Sequence, residues 1–129
     1  MTEIRNKYDL EERTAKLGED IIDFCKSIRQ DVISKPIISQ LIRAGTSIGA
    51  NYMEANAASS KKDFRNKIHI CKKESQETKH WLRMMAKIFP ERISRTNFNI
   101  WQDFINFEMI FSKFKNSNLI RNLNFKIKN

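Results

Sequence analysis

Cationic side chains recur along one flank of a predicted helix between residues 60 and 89. Lysine and arginine supply the part of nucleic-acid affinity that is salt-sensitive and independent of base sequence. The flank has no exposed aromatic side chains on which unstacked bases could stack. It therefore predicts a surface for the phosphates of RNA or DNA, and the alternative is a solvated helix face without a ligand. We call these residues the basic strip: Lys62, Arg65, Lys72, Lys73, Lys79, Arg83 and Lys87.

Opposite charges are predicted to meet across the turn between the second and third helices. In an antiparallel helical hairpin turning at this point, facing residues have numbers that sum to about 119. Glu54 then lies opposite Arg65. Arg43 lies opposite Glu77, with Glu74 one turn away. We interpret both sets as structural ion pairs that fix the register of the hairpin. The alternative is a shared polar site made of Arg43, Ser47, Asn51, Glu74 and Glu77.

The sequence predicts neither a metal site nor a catalytic nucleophile. Glu77 and His80 have the carboxylate–histidine spacing of di-iron bundles, but those sites need two such pairs and two further glutamates. Cys71 falls within an apolar helical pattern, where a free cysteine behaves as a small hydrophobe. Gly45 and Gly49 lie inside a predicted helix and not in a phosphate-binding loop after a strand. We therefore expect no enzyme activity, no metal and no cofactor.

Four amphipathic helices are predicted to position these groups. Three glycines and two prolines in 129 residues are too few for the turns of an all-β domain. The predicted helices cover about residues 9–31, 35–58, 60–89 and 94–115. Together they predict an all-α fold, an up-down-up-down four-helix bundle that forms one domain over residues 1–115. A basic tail rich in Asn and Lys follows over residues 116–129.

Local signals set the expected helix ends. Asp9 begins a capping-box pattern at the start of the first helix. Pro36 suits the first turn of the second helix, where its missing N–H has no helical partner. Ser59 or Ser60 is expected to cap the third helix, and Pro90 is expected to end it.

Each of the first three helices carries one apolar stripe, which predicts a single buried face. Gly45 and Gly49 each cost their helix about 1 kcal/mol relative to alanine, so we expect a neighbouring helix to approach closely there. The stripes are Leu10, Thr14, Leu17, Ile21, Phe24 and Ile28; Ile38, Leu41, Gly45, Ile48, Tyr52 and Ala55; and Phe64, Ile68, Cys71, Ser75, Thr78, Leu82, Met85 and Phe89.

The fourth predicted helix has two nearly opposite apolar faces. Only one face can point into a four-helix bundle, so we expect the other to contact a second copy of the chain. The alternative is that the C-terminal tail covers it. The inward face is Ile100, Phe104, Phe107, Phe111 and Phe114. The predicted subunit interface is Phe98, Trp101, Ile105 and Met109.

The net charge of +9 is unevenly distributed. Residues 1–34 carry six basic and eight acidic groups (−2), residues 35–90 eleven and four (+7), and residues 91–129 seven and three (+4). The positive charge after residue 34 favours acidic partners, of which nucleic acid is the commonest. The sequence begins without a signal-peptide pattern and has no apolar run of about 18 residues, so we expect a soluble cytoplasmic protein without membrane contact.

Several motifs resemble a known protein family. They are LIRAGTSIGAN over residues 41–51, EA over 54–55, KKDF over 61–64, KESQET over 73–78 and WL over 81–82. They are similar to the bacterial four-helix-bundle proteins encoded in 23S ribosomal RNA intervening sequences, and the resemblance covers about residues 8–89. The resemblance implies an up-down bundle that assembles into a ring-shaped homopentamer, in a family without an established biochemical activity. Similar accessory proteins of diversity-generating retroelements are basic pentamers that bind nucleic acid and a reverse transcriptase.

These observations predict a non-catalytic, basic, self-associating scaffold that binds the backbone of RNA or DNA without base specificity. Its expected partners are copies of itself and nucleic acid. The alternative is a scaffold for protein partners whose basic surface is incidental.

Overall fold

Three long α-helices form the part of the chain that the structure describes. The structure is a computed structural model, and it describes residues 2–92, with side chains from Leu10 onward. The helices are α1 (Thr2–Lys26), α2 (Ser34–Asn56) and α3 (Lys61–Ile88). α2 packs against both α1 and α3. Residues 2–92 contain no strand, which agrees with the predicted all-α class.

The core of these helices is formed by the predicted apolar stripes. Every stripe residue is buried, apart from Phe89, which is partly buried and packs against the core. The agreement follows from the geometry of the α-helix, in which residues three and four apart share a face. Three of the buried stripe residues are Ser or Thr, and the hydroxyl of each donates to a backbone carbonyl one turn earlier in its own helix. These bonds are Thr14 to Leu10, Ser75 to Cys71 and Thr78 to Glu74, at 2.7–2.9 Å.

Glycines allow α1 and α2 to cross at close range. A methyl group on Gly45 would overlap the buried side chain of Ile21 and lie 3.2 Å from its Cγ2. A methyl group on Gly49 would lie 3.4 Å from the backbone of Thr14. Gly18 of α1 lies in turn against Thr46 of α2. The close approach predicted at Gly45 and Gly49 is therefore confirmed, and the neighbouring helix is α1.

The predicted bounds of the first helix, 9–31, were wrong at both ends. Asp9 lies inside α1, which begins at Thr2, so the capping-box pattern does not mark its start. α1 ends at Lys26, and a reciprocal pair of hydrogen bonds forms further along, between Asp31 and Ser34. Asp31 Oδ1 accepts from the backbone N–H of Ser34 at 2.8 Å, and Ser34 Oγ accepts from the N–H of Asp31 at 3.0 Å. This cap begins α2.

The ends of α3 agree with the sequence signals. Ser60 caps its first turn, because its side chain accepts from the backbone N–H of Asp63 at 3.1 Å. The helix ends at Ile88, before Phe89 and Pro90. Arg92 then donates from Nη1 to the carbonyl of Ser27 at 2.6 Å, which joins the end of α3 to the end of α1.

Several predictions fall outside the described residues. They are the fourth helix over residues 94–115, the interface formed by Phe98, Trp101, Ile105 and Met109, and the tail over residues 116–129. Within the described part, none of the helices combines the length and apolarity that a membrane span requires.

Candidate nucleic-acid interface

The basic strip lies on one flank of α3. This helix contains neither glycine nor proline, so it holds the cations at fixed spacing. Its first and last members are 25 residues apart in the chain, or about 37 Å along the helix axis. Lys72 and Lys79 are half-buried. The exposed members are Lys62, Arg65, Lys73, Arg83 and Lys87.

Two of the three acidic residues of α3 lie apart from the strip, and the third, Asp63, lies in the first turn beside Lys62. Glu74 and Glu77 project towards α2, where both carboxylates contact Arg43. Across residues 10–92, no carboxylate forms an ion pair with six members of the strip, namely Lys62, Arg65, Lys72, Lys73, Arg83 and Lys87. Their positive charge is therefore uncompensated by the described part of the chain.

The predicted ion pair between Glu54 and Arg65 was wrong. Glu54 Oε2 instead contacts Lys67 Nζ at 2.6 Å, and this contact raises the pKa of the lysine. Arg65 and Lys67 lie at similar heights along α3, but they are about 200° apart around its axis. Lys67 faces α2, whereas Arg65 stays exposed on the opposite flank. The strip therefore keeps Arg65.

The predicted contacts of Arg43 are confirmed. Arg43 Nη1 lies 3.4 Å from Glu74 Oε2, and Nη2 donates to Glu77 Oε1. The indole N–H of Trp81 donates to the same Glu77 oxygen at 3.3 Å. The side chain of Gln40 accepts from Arg43 Nε at 3.1 Å. We call these five residues the Arg43 cluster.

The Arg43 cluster has the features of a structural ion-pair network. Its guanidinium and both carboxylates are already engaged by one another, which leaves little capacity for a ligand. Ser47 and Asn51, the other members of the alternative polar site, each hydrogen-bond to a carbonyl one turn earlier in α2. The contacts therefore favour a role in holding α2 and α3 in register.

Sequence reasoning missed three participants in these contacts: Gln40, Lys67 and Trp81. Gln40 is three residues before Arg43, and Trp81 is four residues after Glu77. Both spacings place side chains on the same helix face, so the periodicity contained the signal.

Neither histidine belongs to a metal site in the described residues. His80 packs its ring edge-on against Trp81, with 4.9 Å between ring centroids. Glu77, which has the carboxylate–histidine spacing with His80, belongs to the Arg43 cluster. Over residues 10–92, no group of three potential His, Cys, Asp or Glu ligands is present. The expectation that the protein binds no metal remains a prediction.

Both cysteines are buried free thiols. Burial raises the pKa of Cys25 to about 11 and that of Cys71 to about 12. The Cys71 thiol also donates to the carbonyl of Ile48 at 3.5 Å. Neither thiol is ionised at neutral pH, so neither is an activated nucleophile.

The described residues define a basic all-α protein in which a cationic flank of α3 lies apart from an ion-paired flank. The chain belongs to the family of 23S rRNA-intervening sequence proteins, whose model matches residues 6–106. This match confirms the resemblance of the motifs. A solved structure from Bacteroides thetaiotaomicron, described as a protein of unknown function from the S23 ribosomal protein family, is similar to the chain. The two are 27% identical with a TM-score of 0.73, over 84% of this chain and 97% of that one. No curated protein matches the chain.

Proposed function

We propose that this protein is a non-catalytic, self-associating scaffold that binds the backbone of RNA or DNA through the basic strip. The observation that carries the proposal is the separation of charge on α3. Glu74 and Glu77 are held by Arg43 on the side towards α2, and no carboxylate within residues 10–92 forms an ion pair with the six members of the strip other than Lys79. Such an arrangement attracts phosphates without reading bases.

The scaffold part of the proposal is an up-down-up-down four-helix bundle in the cytoplasm. The antiparallel contacts of α2 with α1 and α3 support this topology, because a fourth helix would complete the pattern. Self-association is supported by the second apolar face in the sequence over residues 94–115. The resemblance of the motifs to pentameric proteins makes a homopentamer the assembly that we propose.

A scaffold for protein partners is the second candidate. It is favoured by two apolar side chains in the turn between α1 and α2, because Val32 is 93% exposed and Ile33 is 69% exposed. Exposed apolar residues next to each other are typical of contact surfaces between proteins. Under this candidate the basic strip would be a solvated face.

Binding of labelled RNA and DNA at several salt concentrations tests the proposal. We expect affinity at low salt that falls steeply as salt rises. The double variant Lys73→Glu and Arg83→Glu should weaken binding by at least about tenfold, because it reverses two phosphate-facing charges. The matched control is Lys26→Glu with Lys35→Glu, which makes the same change of net charge at exposed positions outside the strip. Equal loss in both variants, or no binding even at low salt, would contradict the proposal.

A further inference from the structure

The basic strip combines rigidity and length with a lack of exposed Phe, Tyr or Trp side chains nearby in residues 10–92. From this combination we infer that its preferred ligand is double-helical nucleic acid, bound along one turn of the duplex, and not a single strand. The inference rests on the proposed function and names the form of nucleic acid that this flank fits.

The first argument is the length and stiffness of the strip. Its span of about 37 Å along α3 is close to one helical turn of a duplex, roughly 34–36 Å. A duplex is stiff over about 150 base pairs, so it can lie along a rigid helix without losing much conformational freedom. A single strand would have to be ordered along the same cations at an entropic cost.

The second argument is that the described residues expose no Phe, Tyr or Trp side chain on which bases could stack. The exposed large apolar side chains between residues 10 and 92 are Ile22, Val32, Ile33 and Met53, and none of them is aromatic. Phe24, Tyr52 and Phe64 are buried, and Trp81 and Phe89 are partly buried and pack against the core. The exposed rings on α3 are the smaller imidazoles of His69 and His80. Base stacking on aromatic groups contributes about 1–3 kcal/mol per base to single-strand binding, and this surface lacks the larger rings that supply most of it.

The third argument is charge density. Without exposed Phe, Tyr or Trp in residues 10–92, affinity depends mainly on the phosphates that the cations neutralise. A duplex presents more phosphate charge per unit length than a single strand, and its binding releases more counterions per contact. For six contacts, the slope of log affinity against log salt is about −5 for duplex DNA and about −4 for single-stranded DNA. The strip should therefore favour the duplex most strongly at low salt.

The test compares duplexes of about 22 base pairs, roughly two helical turns, with one of their own strands. RNA and DNA are measured in parallel by fluorescence anisotropy over a series of salt concentrations. We expect the intact protein to bind both duplexes at least about tenfold more tightly than the matching single strands. The Lys73→Glu and Arg83→Glu variant should lose most of this preference, and the Lys26→Glu and Lys35→Glu control should retain it.

Two results are decisive in different ways. Single strands that bind as tightly as the duplexes, with binding still dependent on the strip, would overturn the inference and leave the proposed function standing. No binding of either form at the lowest salt would overturn the proposed function and the inference with it. Circular dichroism of each variant checks that the helices are intact.

Discussion

At the scale of single residues, burial determines how much an ion pair contributes. The Glu74 side chain is only 13% exposed and meets Arg43 between two packed helices. Lys16 and Asp20 also form an ion pair, but their side chains are 70% and 43% exposed. Solvent screens the exposed pair, whereas loss of Arg43 would leave a poorly solvated carboxylate without its partner.

We expect Arg43→Ala to lower the free energy of unfolding by about 1–2 kcal/mol, because Glu74 and Glu77 would then repel each other without compensation. Lys16→Ala is the control, and its effect should stay within about 0.5 kcal/mol. Urea denaturation monitored by circular dichroism measures both. Similar effects of the two substitutions would show that the Arg43 cluster does not stabilise the pairing of α2 and α3.

The buried thiols should be unreactive in the folded protein. Because burial raises the pKa of Cys25 to about 11 and that of Cys71 to about 12, almost no thiolate exists near neutral pH. A chromogenic disulfide reagent should titrate neither cysteine in native protein and both in denaturant. A Gln76→Cys variant, at an exposed position of α3, is the positive control and should react at once. Rapid reaction of the native protein would mean that α1 or α3 opens readily.

The sequence predicted which residues are buried better than it predicted how charges pair. Burial follows from periodicity along one helix, so the stripe through Ile48 and the stripe through Leu82 could be assigned without any partner helix. Pairing across a hairpin also requires the rotation of each helix about its axis. The sum of residue numbers gives only the height along the axis, and for this reason Glu54 was assigned to Arg65 and not to Lys67.

At the scale of the helices, the close crossing of α1 and α2 depends on glycines, which have no side chain to keep the two backbones apart. Gly18, Gly45 and Gly49 lie at this crossing. A methyl group added at Gly18 or Gly49 would lie at ordinary contact distance from the opposite helix. The space at Gly45 is the most restricted, because a methyl group there would overlap Ile21, which is fully buried in a close-packed core.

We expect Gly45→Ala to destabilise the protein by about 1–3 kcal/mol, since the gain in helix propensity is smaller than the cost of displacing Ile21. Gly49→Ala is the matched control. Its methyl group would lie at contact distance from Thr14, so it should be neutral or slightly stabilising. Thermal unfolding of both variants measures the difference. A stable Gly45→Ala protein would imply that α1 and α2 cross at a greater distance.

The cap between α1 and α2 should make stability depend on pH. Hydrogen bonds from the backbone N–H groups of Ser34 and Ile33 help to hold the pKa of Asp31 below its usual value. The stabilisation is therefore present above the unfolded pKa of about 3.9 and is lost as the pH falls through the lower folded value. Asp31→Ala should lower the melting temperature at neutral pH, and the difference from the wild type should shrink in acid. Asp31→Asn retains an acceptor and should show a weaker pH dependence.

Helix ends were predictable only where one signal dominated. Ser60 and Pro90 act locally and allow few alternatives, so the ends of α3 follow from them. At the end of α1, the decisive contact is the reciprocal bond between Asp31 and Ser34, which depends on how the chain turns. Asp9 favours a cap, but the helix continues to Thr2, so a local capping pattern alone could not fix where α1 begins.

At the scale of the whole molecule, charge and apolar surface are distributed unequally along the chain. Residues 1–34 carry six basic and eight acidic groups, a charge of −2. Residues 35–90 carry eleven basic and four acidic groups, a charge of +7. The sequence over residues 94–115 adds a second apolar face. Assembly through that face would bring several basic strips into one particle, and multivalent contact would raise the apparent affinity for a long nucleic acid.

We expect the protein to be larger than a 15.3 kDa monomer in solution, with a homopentamer as the proposed state. Light scattering coupled to size-exclusion chromatography measures the mass. Trp101→Glu should reduce it, because a charge would be buried at the predicted interface. Asn106→Glu adds the same charge at a position between the two predicted apolar faces and should leave the mass unchanged. A monodisperse wild-type monomer at micromolar concentration would contradict self-association.

The hydrogen bond from Trp81 to Glu77 gives the protein an optical reporter of its own. The indole lies where the Arg43 cluster joins α2 to α3, so separation of these helices would break the bond and expose the ring to water. In a Trp101→Phe background, Trp81 would be the sole tryptophan, because the chain has only two. Its fluorescence would then follow the opening of this hairpin in real time, without an attached dye.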